Sequence, residues 1–159
     1  MTAAESINIL SRFLNVRDVP ALTQSALQSR VGFPGADVMV LFGGSIMAGG
    51  DVLAKAIHED VAKRYLIVGG AGHTTPVLRE KMQPFLPHLD TSAMQEAEIF
   101  QCYLQCRYGV QADFLETAST NCGNIITHLL LLLEKEKIPH ESMIWTVPET
   151  EDKEIKALK

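Results

Sequence analysis

Tyr65-Leu66-Ile67-Val68-Gly69-Gly70-Ala71-Gly72-His73-Thr74-Thr75 decides how this chain folds. Its four apolar residues read as a buried strand, short and closed by glycines. Three glycines in the next four positions are costly in chain entropy, more than a turn requires. His73, Thr74 and Thr75 then add hydrogen-bond donors at a helix start, with the helix running over about Pro76 to Met82. Strand, glycine loop and helix in that order form one unit of an α/β sheet, and ligands of open α/β sheets sit at such strand ends.

The unit recurs on both sides. Upstream, Asp37 to Phe42 is a second apolar strand, closed by Gly43-Gly44-Ser45 and followed by a helix over about Asp51 to Lys63. Downstream, Pro84 to Asp90 is a connector, and Ser92-Ala93-Met94-Gln95 fits a capping box for a helix that Gly109 stops. Val110 to Glu116 reads as a third strand, Asn121 to Lys137 as a long helix, and Met143 to Val147 as a fourth strand. Before the first strand, one helix is expected over Ala3 to Asn15 and another from Pro20 to Ser29; a charged tail follows Pro148. Repeated strand–helix alternation predicts parallel strands with right-handed crossovers. The expected fold is a Rossmann-like three-layer α/β/α with a mostly parallel sheet, apparently truncated at its C-terminus. Residues 1–35 form a helical segment packing on a domain spanning 36–159.

Composition narrows the function. At 159 residues the chain is long enough for one domain with a real core. A formal charge of −5, with no aromatic-basic patch, argues against a nucleic-acid partner. The N-terminus lacks the charged-then-apolar order of a signal peptide. The longest apolar run, Leu129 to Leu133, is too short to span a membrane and reads as the core face of a helix. Three cysteines argue against a disulfide framework, so a reducing, cytoplasmic setting is expected. Cys102 and Cys106 lie four apart on one helix, but a metal would need two more ligands that the sequence does not supply, and no metal is expected.

The three loops carry the chemistry. Gly43, Gly44 and Ser45 allow a backbone to come close to a ligand and its amides to face an anion, although a tight turn is the competing reading. Neither a dinucleotide fingerprint nor a P-loop is present. Gly69, Gly70, Gly72, His73 and Thr74 form the stronger loop. Gly69 and Gly70 also occupy the place where ribose-clamping enzymes put an acid, which argues against a conventional nicotinamide site. Ser119, Thr120 and Asn121 open the long helix. One residue suffices to cap it, and three in a row favour a ligand role over a cap alone. Cys122 lies at the positive helix end, but no histidine is placed as its base, and His128 reads as a helix-flank residue. Glu96 and Glu98 point about 200° apart on their helix, so at most one faces the loops.

The ordered set of strand–Gly-Gly, strand–Gly-Gly-x-Gly-His-Thr, Glu96-Ala97 opening a helix, then Ser119-Thr120-Asn121-Cys122-Gly123 resembles the YdcF/SanA/ElyC-like proteins, a bacterial family of unknown function. The likeness is greatest to the YdcF branch and covers about Asp37 to Leu133. It implies a Rossmann-like fold and binding of S-adenosyl-L-methionine, with no established reaction. Gly43, Gly44, Gly69, Gly70, Gly72, His73, Glu96, Ser119, Thr120 and Asn121 are the matching positions. Two departures stand out: Ile125 where the family carries a second asparagine, and a sequence that stops soon after the fourth strand.

The expectation is a small-molecule-binding α/β protein, its ligand S-adenosyl-L-methionine or a nucleotide- or phosphate-bearing molecule held by the three loops, by Thr74 and by Glu96. The alternative is a non-catalytic or truncated interaction module whose strand edges pair into a homodimer. A weaker alternative is a hydrolase or transferase acting on an envelope-precursor phosphate, with Glu96 or His73 as the base.

Overall fold

The computed structural model describes Val19 and residues 21–146. The helix expected over Ala3 to Asn15, the start at Pro20 and everything from Val147 onward lie outside the described residues. In chain order the elements are α1 (Gln24–Val31), β1 (Ala36–Phe42), α2 (Ala48–His58), β2 (Ala62–Val68), α3 (Thr75–Met82), α4 (Glu96–Tyr108), β3 (Phe114–Glu116), α5 (Cys122–Lys135) and β4 (Met143–Thr146).

The four strands are all parallel, in the order β3-β2-β1-β4. Val40 pairs with Leu66 on one side and Trp145 on the other, and Leu66 pairs with Phe114, which fixes one row across the sheet. This is the start of the doubly wound order. The first two crossovers step one way and the third returns across the sheet, so right-handed connections put helices on opposite faces. The apolar residues divide accordingly. Met39, Leu41 and Ile67 face one layer with Leu53 of α2, Leu78 of α3, and Ile99, Phe100, Tyr103 and Leu104 of α4. Leu27 of α1 joins that layer. Val38, Val40, Leu66 and Val68 face Leu129 and Leu133 of α5. The three-layer α/β architecture expected from the alternation is thus present.

Several boundaries differ from expectation, each for a local reason. The second expected helix begins at Gln24 rather than Pro20, because the Thr23 hydroxyl caps it by accepting from the Ala26 amide (3.2 Å). Helix α2 starts at Ala48, three residues before Asp51, and carries two glycines in its first turn. A Cβ on Gly49 would lie 2.7 Å from Leu41 Cδ1, and one on Gly50 would lie 3.1 Å from the Tyr103 ring. Glycine there lets the helix start pack flush against β1 and α4. The same helix ends at His58 instead of Lys63, because the Tyr65 hydroxyl donates to Ala56 O (3.0 Å) and accepts from Ala62 N (3.0 Å), pinning the α2 end to the β2 start.

The third strand is only Phe114–Glu116, since the residues before it are paired otherwise. The Gln101 side chain takes both Ala112 N and Ala112 O, and Asp113 Oδ2 accepts from Tyr65 N (2.7 Å). The capping box expected at Ser92 is formed instead by Gln95 and Glu98, with Glu98 Oε2 accepting from Gln95 N (2.7 Å). Of the run Leu129 to Leu133, the first and last are buried while Leu130 and Leu131 are exposed. No described helix is long and apolar enough to cross a membrane.

Candidate functional site at the strand ends

The loops after β1, β2 and β3 meet at one edge of the sheet and touch. Gly43 N donates to Val68 O (2.7 Å) and Gly69 N to Glu116 O (2.9 Å), so each loop leaves its strand still tied to the next. A Cβ on Gly43 would lie 3.1 Å from Gly69 Cα, and one on Gly70 only 1.9 Å from Ser119 O and 2.7 Å from Thr117 O. Gly72 is looser, with a Cβ 3.3 Å from Thr120 O. Four of the five loop glycines therefore serve close approach of the loops to one another. Gly44 is different: its φ is +142°, which a side chain rarely adopts, and nothing lies within 4 Å of a built Cβ.

Glu96 sits where these loops converge. It is the first residue of α4, and its own amide donates to Gly70 O (3.1 Å) while Ala97 N donates to Gly69 O (2.8 Å). Those two bonds draw the helix start onto the glycine loop and bury the Glu96 side chain to 6% exposure. Oε1 accepts from Thr75 Oγ1 (2.7 Å), with Thr74 Oγ1 at 3.4 Å. Oε2 lies over Gly43, 2.6 Å from where a Cβ would be, and takes no donor from the described residues. Glu98, as the geometry of a helix demands, turns away to cap Gln95.

Ser119, Thr120 and Asn121 divide their work. Ser119 is buried, and its hydroxyl accepts from Gly70 N (3.1 Å), bridging the second and third loops. Asn121 is the N-cap of α5: its Oδ1 accepts from Gly123 N (2.8 Å) and Asn124 N (3.1 Å). Asn124 reciprocates, its Oδ1 accepting from Thr120 N (3.1 Å) and Asn121 N (3.2 Å). The Thr120 hydroxyl is held between the two asparagine amides. Asn124 thus completes the cap, and Ile125 packs toward the core layer under α5. Ser45 is tied through its carbonyl to Lys81 Nζ (3.2 Å). His73 is exposed and its side chain bonds to no described residue.

Glu116 is the residue that sequence reading missed. It ends β3, is 6% exposed, and its Oε1 accepts from Ala118 N and Ser119 N. His128 Nδ1 lies 3.7 Å from the same oxygen, at the end of β3. Glu116 Oε2 is buried with no partner among the described residues. A carboxylate at the carboxyl end of an apolar strand is the one signal that could have singled it out.

Two open grooves lie away from these loops. One, of about 700 Å³, runs along α3 and the connector between Arg79, Gln83, Leu89 and Thr91; the other, of about 410 Å³, borders Lys137 to Glu141. We place the candidate site at the strand ends, where Glu96 and the glycine loops meet. Among the described residues no three His, Cys, Asp or Glu side chains group to hold a metal. No family model matches the chain, and no curated protein matches it at a significant level.

Proposed function

We propose that this chain is a small-molecule-binding α/β protein of the YdcF/SanA/ElyC-like group, binding S-adenosyl-L-methionine or a nucleotide- or phosphate-bearing ligand at the strand ends. The observation that carries the reading is Glu96: a carboxylate held between the first two glycine loops, with Oε1 fixed by Thr75 and Oε2 without a donor among the described residues. In an open α/β sheet the crevice beyond the carboxyl strand ends is where ligands bind. Gly44, Ser45, His73 and Thr74 line the approach, while Ser119, Thr120 and Asn121 hold the third loop in shape behind it. The order of motifs along the sequence supports S-adenosyl-L-methionine as the first ligand to test. Thiols free of disulfides support a reducing, cytoplasmic setting. Thermal shift and calorimetry with S-adenosyl-L-methionine, nucleotides and sugar phosphates test the proposal. Absence of any response from folded protein refutes it.

A second reading has one observation behind it. Leu130, Leu131 and Trp145 are 46%, 55% and 51% exposed on α5 and on β4. Apolar surface of that kind suits an interaction module or a homodimer. Sedimentation equilibrium decides: a single monomeric species across the micromolar range excludes the dimer.

A further inference from the structure

Building on the strand-end site proposed above, we infer that its ligand is recognised there through a cation or a pair of hydroxyl donors, and not through a phosphate. The acceptors point this way first. Glu96 is more than nine-tenths buried, and its Oε2 lies over Gly43 with no donor among the described residues. On the α5 side of the third loop, Glu116 is also more than nine-tenths buried, and its Oε2 has no partner among the described residues. The acceptor that opens toward the glycine loops is therefore Glu96 Oε2, which has no donor among the described residues. A ligand ammonium, sulfonium or diol beside Glu96 meets an acceptor already in place and forms charge-assisted contacts. A phosphate there meets the like charge of Glu96.

Donors at three of the helix starts around the loops, those of α3, α4 and α5, are largely engaged. Phosphates favour helix N-termini with free amides. At α4 the first amides bind Gly69 O and Gly70 O, and Gln95 N binds Glu98. The start of α5 is closed by the Asn121–Asn124 pair. The start of α3 offers little, since Thr75 N binds Gly72 O, Pro76 has no amide, and Leu78 N binds Thr74 O. Helix α2 has no side-chain cap, but Asp51 sits in its first turn and sets a negative charge beside that end. Lys81 reaches the first loop and donates to Ser45 O.

Calorimetry with adenosine, AMP, inorganic phosphate and S-adenosyl-L-methionine tests this on the wild-type chain and on Glu96→Gln. Adenosine is expected to bind at least as tightly as AMP, and inorganic phosphate not to bind. Glu96→Gln is expected to weaken S-adenosyl-L-methionine by about tenfold or more, the range of a hydrogen bond to a charged group. Tighter binding of AMP or phosphate than of adenosine overturns the inference while leaving the strand-end site standing. So does unchanged S-adenosyl-L-methionine affinity in a folded Glu96→Gln variant. No binding by any of the four overturns the site and the inference together. The adenosine–AMP comparison uses no variant, so it decides even if Glu96→Gln fails to fold.

Discussion

Gly70→Ala is the substitution whose cost the structure specifies most directly. The new methyl carbon would sit 1.9 Å from Ser119 O and 2.7 Å from Thr117 O, and both are backbone atoms that no rotamer change can remove. The β3–α5 loop must move away, and the Gly70 N–Ser119 Oγ bond stretches with it. Overpacking of this kind costs about 1–3 kcal/mol. A buried hydrogen bond lost at the same time adds about 1 kcal/mol. The sum, about 2–4 kcal/mol, corresponds to a fall in Tm of about 5–15 °C for a chain of this length. Gly72→Ala is the internal control, since its Cβ would meet only Thr120 O at 3.3 Å, a clash relieved by a shift of a few tenths of an ångström. Urea and thermal unfolding by circular dichroism measure both. A Gly70→Ala protein melting within about 1 °C of Gly72→Ala would refute the claim that Gly70 is demanded by loop packing.

Other expectations follow from the same contacts. Asn121→Ala removes the α5 cap and is expected to lower stability by about 1 kcal/mol. Adding Asn124→Ala should cost less than the sum of the singles, because each asparagine needs the other, and a double-mutant cycle in urea reads the coupling. Glu116→Ala strands the Ala118 and Ser119 amides and should cost about 2–3 kcal/mol; Glu116→Gln, which keeps an acceptor for them, should cost clearly less in the same urea titration. All three tyrosines, Tyr65, Tyr103 and Tyr108, hold their protons above the ordinary tyrosine range, through burial first and, for the latter two, the Asp51 carboxylate that accepts both hydroxyls at 2.6 Å. A phenol raised on folding contributes stability that is complete below its unfolded value, about 10, and is lost as pH rises through the folded value. Tyrosinate absorbance should therefore appear at higher pH in the folded protein than in the urea-unfolded chain; a folded-state midpoint at or below the unfolded one contradicts this.

The sequence showed the sheet better than its borders. Strands β1 and β2 are continuous apolar runs closed by glycine, a pattern with few other readings. Strand β3 was overextended, because Val110 to Asp113 look apolar enough while the Gln101 side chain and Asp113 itself take the backbone bonds a ladder would use. The start of α2 was hidden by Gly49 and Gly50, poor helix formers that only the nearness of Leu41, Phe100 and Tyr103 explains. Serine at 92, with glutamine three residues on, fits a capping box in sequence. The choice fell to Gln95, and the carbonyls of Gly69 and Gly70, far back along the chain, accept the first amides of the helix it opens. At the site, helix geometry left Glu96 and Glu98 both open, and the family resemblance singled out Glu96. Glu116 was not legible, since an acid at a strand end reads as solvated until register places it under the next loop.

The return of the chain to Gly69 and Gly70 has a consequence for how this protein can vary. Residues 71–95 leave the sheet edge and come back to the same two carbonyls, a closed excursion with both ends held by hydrogen bonds. Its tip, residues 87–90, is fully on the surface. Lengthening such a tip costs only loop-closure entropy, about 0.6 kcal/mol per doubling. The sheet, the three loops and Glu96 keep their places while the tip grows or shrinks, so length changes can remodel the molecule's flank without touching the strand-end chemistry.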